Sequence, residues 1–112
     1  MGMFMTMGRY SAQGAAAVTT EGLAARKKAV EAFLGTIGHK LVGYWGVREA
    51  DWDFVIISEG EDVGTAYQLA TQLTTRASGA FEETRWFALA EAEDVDAAMG
   101  RVTGYRAPGA AS

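Results

Sequence analysis

The chain has 112 residues, 49% hydrophobic and 21% charged, with a formal net charge of −4 and no cysteine. That size fits one domain with a modest core, and the missing thiols exclude disulfides and cysteine-based zinc sites. The acidic balance opposes non-specific nucleic-acid binding, which needs a cationic footprint, and no apolar run is long enough to span a bilayer.

The N-terminus lacks the cationic segment and long apolar stretch of a signal peptide, so a cytoplasmic location is expected. Met1-Gly2-Met3-Phe4-Met5-Thr6 fits the loose myristoylation pattern, but a strand accounts for the same residues. Over 3–10, Met3, Met5 and Met7 alternate with Phe4, Thr6 and Gly8. The spacing predicts a first strand with one methionine face, suited to core or interface packing rather than metal binding.

Residues 14–18 read as a small-residue connector of about one helical turn. A main helix is predicted over 20–37. Leu23, Val30, Phe33, Leu34 and Ile37 fall on one stripe, with Arg26, Lys27, Lys28 and Glu31 elsewhere and Gly38 as terminator. Strands are predicted over 39–47 and 52–58, joined by a short charged turn as an antiparallel hairpin. The continuous run Val55-Ile56-Ile57 suggests burial on both faces of the sheet.

A second helix opens at Glu61-Asp62, with Asp62 as N-cap and Val63, Ala66, Tyr67, Ala70 and Leu73 as its buried stripe. A fourth strand is predicted over 81–89. A short helix follows over 92–102, with Val95, Ala98, Met99 and Val102 on one face and an acidic start. The domain is expected to span 3–102, with 103–112 a loose Gly, Ala, Pro and Ser tail.

Strand, helix, strand, strand, helix, strand is the order of the ferredoxin-like α+β fold with a four-stranded antiparallel sheet. Its strand order is fourth, first, third, second. Helices cover one face only, so the doubly apolar strand calls for a cover on the other, and a second copy of the chain is the simplest.

Three segments resemble the GYD-domain family. Arg9-Tyr10-Ser11-Ala12-Gln13-Gly14 is similar to its first-strand exit. Ala50-Asp51-Trp52-Asp53-Phe54-Val55-Ile56-Ile57 is similar to its Gly-x-Tyr-Asp motif and apolar tail. Glu83-Thr84 resembles its last strand. Ala50 stands where the family has Gly and Trp52 where it has Tyr, while Asp53 is retained. The resemblance implies a dimeric α/β barrel, two sheets packed face to face, and it sets architecture more firmly than activity.

In that topology Arg9, Tyr10, Trp45, Trp52, Asp53 and Glu83 are expected to gather at one end of the sheet. They suit a pocket for a small planar polar molecule, with Arg9, Tyr10, Trp45, Trp52 and Arg85 as ligand-binding candidates. The same charges also fit a simple ion pair of Arg9 with Asp53 or Glu83 at the sheet end. Asp53 is a candidate general base. His39, the single histidine, is a candidate proton carrier at the opposite end, near Ser58 and Phe87, or a surface residue. Arg85 and Trp86 point to opposite faces. No cofactor and no metal site are expected.

The reading that follows is a homodimeric small-molecule-binding protein. The alternative is a cofactor-free enzyme of isomerase, cyclase or monooxygenase type acting on a small aromatic or polyketide-like compound. An RNA-binding module shares the topology but fits neither the charge nor the aromatic pattern.

Overall fold

The computed structural model describes residues 2–102, 104, 105, 108 and 109. Alternation in the first residues produces β1 (Gly2–Tyr10). Phe4, Gly8 and Tyr10 are buried on one side of it, and Met3, Met5 and Met7 are half-buried on the other. Ser11 then caps α1 (Ala12–Glu21): its hydroxyl accepts from Gly14 N–H at 3.0 Å and donates to the Gly79 carbonyl at 2.6 Å.

α1 replaces the connector expected over 14–18. Ala15-Ala16-Ala17 is small, but alanine is also the strongest helix former, and the capped segment winds into ten residues of helix. The single helix expected over 20–37 is interrupted at Gly22. There φ is +92°, a conformation a side chain disfavours, and the chain changes direction into α2 (Leu23–Gly35).

β2 (Lys40–Gly46) and β3 (Phe54–Gly60) form the expected hairpin. Its loop is organised by Glu49, whose carboxylate accepts from the Asp51 and Trp52 N–H groups at 2.8 and 3.1 Å. β3 begins at Phe54 rather than residue 52, because Trp52 lies in that loop. α3 (Gly64–Ala77), β4 (Phe81–Leu89) and α4 (Ala92–Met99) complete the chain. Asp62 stands two residues before α3, and its carboxylate accepts from Gly64 N–H at 2.9 Å.

The four strands are antiparallel in the order β2-β3-β1-β4, an α+β arrangement compatible with the ferredoxin-like fold. Of the run Val55-Ile56-Ile57, Ile56 is buried on the helix side, while Val55 and Ile57 are half-buried on the bare side beside the methionines. The core is aromatic. Phe54 packs against Tyr10 (ring centroids 5.1 Å apart), Tyr44 (5.6 Å) and Phe81 (5.7 Å). Gly8 is its neighbour on β1, and a Cβ there would stand 2.2 Å from the Phe54 ring. The missing side chain is what lets the ring lie flat on the sheet.

Two predicted burial patterns are corrected. In α3, Tyr67 is 61% and Leu73 53% exposed, and Ala66 and Ala70 are exposed too. Helical spacing puts Gln68, Thr71, Gln72 and Thr75 on the opposite side, and these face the sheet. Periodicity identifies a stripe but not what it faces. The positive-φ glycines Gly64 and Gly79 set how this helix enters and leaves. α4 likewise leaves Val95, Met99 and the following Val102 exposed. The tail expected over 103–112 lies mostly outside the described residues.

Candidate functional site

A cleft of about 460 Å³ runs between α2, α3 and the helix-covered face of the sheet. That volume is in the range of small-molecule sites. Its two walls differ. The α2 wall is apolar, with Ala29, Val30, Phe33 and Leu34 and, in the turn that follows, Ile37, and the α3 wall carries amides and hydroxyls from Gln68, Thr71, Gln72 and Thr75. Thr6, Phe54, Ile56, Phe81 and Trp86 supply much of the floor.

At one end of the floor the Tyr10 and Tyr44 hydroxyls meet at 2.7 Å. Both side chains line the cleft. Tyr10 arrives from the end of β1 and Tyr44 from β2, with Phe54 of β3 between them, stacked on Tyr44 and tilted against Tyr10. Burial pushes both phenols above their ordinary pKa. The shared hydrogen bond pushes Tyr44 further up and holds Tyr10 back. Both are therefore neutral donors at physiological pH. Arg26, ion-paired with Glu21, sits at this end and partly offsets the rise in each.

The expected cluster at the sheet end is split by the sheet itself. Tyr10 faces the helices, whereas Arg9 faces the bare side, 3.4 Å from Glu82 and 3.6 Å from Glu83. Arg9 also donates to the Asp51 carbonyl at 2.9 Å. The expected ion pair thus forms with Glu83 rather than Asp53, and in its exposed setting contributes about 0–1 kcal/mol. Arg85 pairs with Glu83 at 3.0 Å and lies 5.6 Å from the Trp52 ring centre. As an edge-strand residue it also borders the cleft. Trp45 is 52% exposed, and its ring lies over Gly43. Of the five ligand-binding candidates, Tyr10 and Arg85 line the cleft; Arg9, Trp45 and Trp52 do not.

Asp53 and His39 are both occupied by the backbone. The Asp53 carboxylate accepts from Tyr10 N–H at 2.8 Å, at the point where the pairing of β1 with β4 slips. A base with that bond mends a strand irregularity, and Asp53 does not line the cleft. His39 is at the opposite end from Arg9, as expected, but it is 5% exposed rather than a surface residue. Its ring lies 5.1 Å from that of Phe4 and against Gly60. Nε2 donates to the Glu61 carbonyl at 2.8 Å, which fixes the tautomer, and Nδ1 is buried without a hydrogen-bond partner. His39 is also absent from the cleft lining.

Sequence reasoning passed over Tyr44, Arg26 and the glutamine–threonine wall. One signal pointed to Tyr44. Tyr10 shares strand parity with the buried Phe4, so its partners lie on the helix side, and on β2 that side carries Tyr44 rather than Trp45. Among the described residues no cluster of His, Asp or Glu is placed to hold a metal ion, and no helix is long and apolar enough to cross a membrane.

No curated protein matches the chain. The family model for the GYD domain matches residues 4–99, nearly all of the folded part. With its α+β sheet in the order β2-β3-β1-β4, the chain belongs to the GYD-domain family.

Proposed function

We propose that this GYD-domain protein is a homodimer that binds a small aromatic molecule in the helix-side cleft. The observation that carries the reading is the cleft itself. It is a half-open, mostly apolar space of about 460 Å³ with a hydroxyl pair at one end. Binding is favoured over cofactor-free catalysis because Asp53 and His39, the candidate acid–base groups, both lie outside the cleft, Asp53 bonded to Tyr10 N–H and His39 through Nε2 to the Glu61 carbonyl. The absence of cysteine and the acidic charge fit a cytoplasmic protein with no nucleic-acid partner.

The second copy is assigned to the bare face of the sheet. Met3, Met5 and Met7 are flanked there by Val55 and Ile57 on β3 and by Phe87 and Leu89 on β4. The charges at the ends of this face are matched within one copy, Arg9 and Arg85 by Glu82 and Glu83, and Glu59 by its cross-strand neighbour Lys40, so the apolar centre is the part that calls for a partner.

Native mass spectrometry of the purified protein tests both parts. The expected spectrum shows twice the chain mass, with a small aromatic compound released on denaturation. A monomer that carries nothing, and that takes up no aromatic probe, would overturn the proposal.

A further inference from the structure

Building on that reading of the cleft, we infer that its ligand carries a carbonyl or phenolate-type oxygen, received by the Tyr10–Tyr44 hydroxyl pair. Two hydroxyls bring two protons, and the bond between them uses one. The other proton has no acceptor among the described residues. Both side chains line the mostly apolar cleft, with the Tyr10 ring packed on Phe54 and Phe81 and the Tyr44 ring on Phe54. A ligand that covers the pair strips water from the spare proton, which is costly unless the ligand brings an acceptor.

The surroundings narrow the acceptor further. Neutral phenols at physiological pH offer a proton to an acceptor oxygen. Arg26 at the same end is ion-paired with Glu21 and its pull on the phenols is opposed by Asp53, so the hydroxyl pair rather than a net charge selects the ligand atom. The body of the ligand is constrained by the walls. Phe33 and Leu34 of α2, with Ile37 just after it, take an apolar face, while Gln68, Thr71 and Gln72 of α3 take a polar edge. The class that fits is a flat, fused-ring aryl ketone or related oxygenated aromatic, with its oxygen inward and a polar edge toward α3. A pure hydrocarbon leaves the spare proton unmatched.

The test uses a matched pair of fluorescent probes, 6-propionyl-2-(dimethylamino)naphthalene and its 6-propyl counterpart, which lacks the carbonyl. Wild-type protein is expected to prefer the ketone by about tenfold, the worth of one hydrogen bond in a half-open site. The double variant Tyr10→Phe/Tyr44→Phe keeps both rings and removes both hydroxyls together, a change that leaves no partner stranded. It is expected to bind both probes alike, at or above the wild-type affinity for the hydrocarbon, because no proton is left unmatched. Ala29→Trp, which fills the cleft from α2, is expected to abolish binding of both. A ketone preference that survives the double variant, or is absent from the wild type, overturns this inference. If Ala29→Trp still blocks binding in that case, the cleft reading stands alone. Failure of both probes to bind wild type, or binding unaffected by Ala29→Trp, overturns both.

Discussion

The two faces of the sheet are built from the same strands by opposite means. On the helix side every second residue of β1 is aromatic, small or hydroxylated: Phe4, Thr6, Gly8, Tyr10. Rings stack there in fixed pairs, from Phe4 on Trp86 at 4.6 Å to Phe54 on Tyr44 at 5.6 Å. On the bare side the same strand offers Met3, Met5 and Met7, flexible side chains that adapt to whatever meets them. A stiff face holds a cleft open in a defined shape. An adaptable face suits a surface that must be buried against another. The contrast separates the proposed ligand site from the proposed dimer contact, although both begin in one nine-residue strand.

The largest effect is expected at the centre of the stiff face. Phe54→Ala removes the ring that touches Tyr10, Tyr44 and Phe81, and urea unfolding should show a loss of about 3–5 kcal/mol. A loss under 1 kcal/mol would mean that these rings do not form the core. Met5→Glu is the counterpart on the adaptable face. A carboxylate buried there without a partner should weaken the dimer by about 100-fold in sedimentation velocity, with the fold intact by circular dichroism. A dimer of unchanged strength would move the contact elsewhere.

Asp53 belongs to neither face, and its variants sharpen its role. Asp53→Ala strands the Tyr10 N–H and should cost about 1 kcal/mol, whereas Asp53→Asn keeps an acceptor oxygen and should cost less. Equal losses would contradict the backbone assignment. The smallest effect concerns pH. Both tyrosines have folded pKa values raised above 10.0, so the unfolded chain loses these protons first as pH rises. Their stabilising contribution is full below pH 10 and is lost above it as the folded values are approached. Melting temperature should decline above pH 10 more steeply in wild type than in Tyr10→Phe/Tyr44→Phe.

Much of the fold was legible in the sequence. Strand alternation located β1 and β4, the hairpin aromatics located β2 and β3, and the sheet order followed from the topology. α1 was missed because Gly14 and its alanines resemble a connector in composition, while the capping bond of Ser11 that nucleates the helix is a matter of geometry. The outward stripe of α3 was illegible for a different reason. Hydrophobic periodicity gives a helix two faces without saying which one the connecting glycines turn inward. The site was half legible: Tyr10 and Arg85 line the cleft, but Arg9 and Trp45 fall on the other side of the sheet. Proximity along a strand end does not reveal which side of the sheet a side chain takes until parity is followed across all four strands.

Ligand is expected on the stiff face and not on the adaptable one. A nitrogen-15 correlation spectrum recorded during titration with 6-propionyl-2-(dimethylamino)naphthalene reads this directly. The largest shifts are expected on Tyr10, Phe33, Tyr44, Thr71 and Phe81, with Met5, Trp45 and Phe87 unmoved. Shifts centred on Met5, Trp45 and Phe87, with the tyrosine pair unmoved, would contradict it.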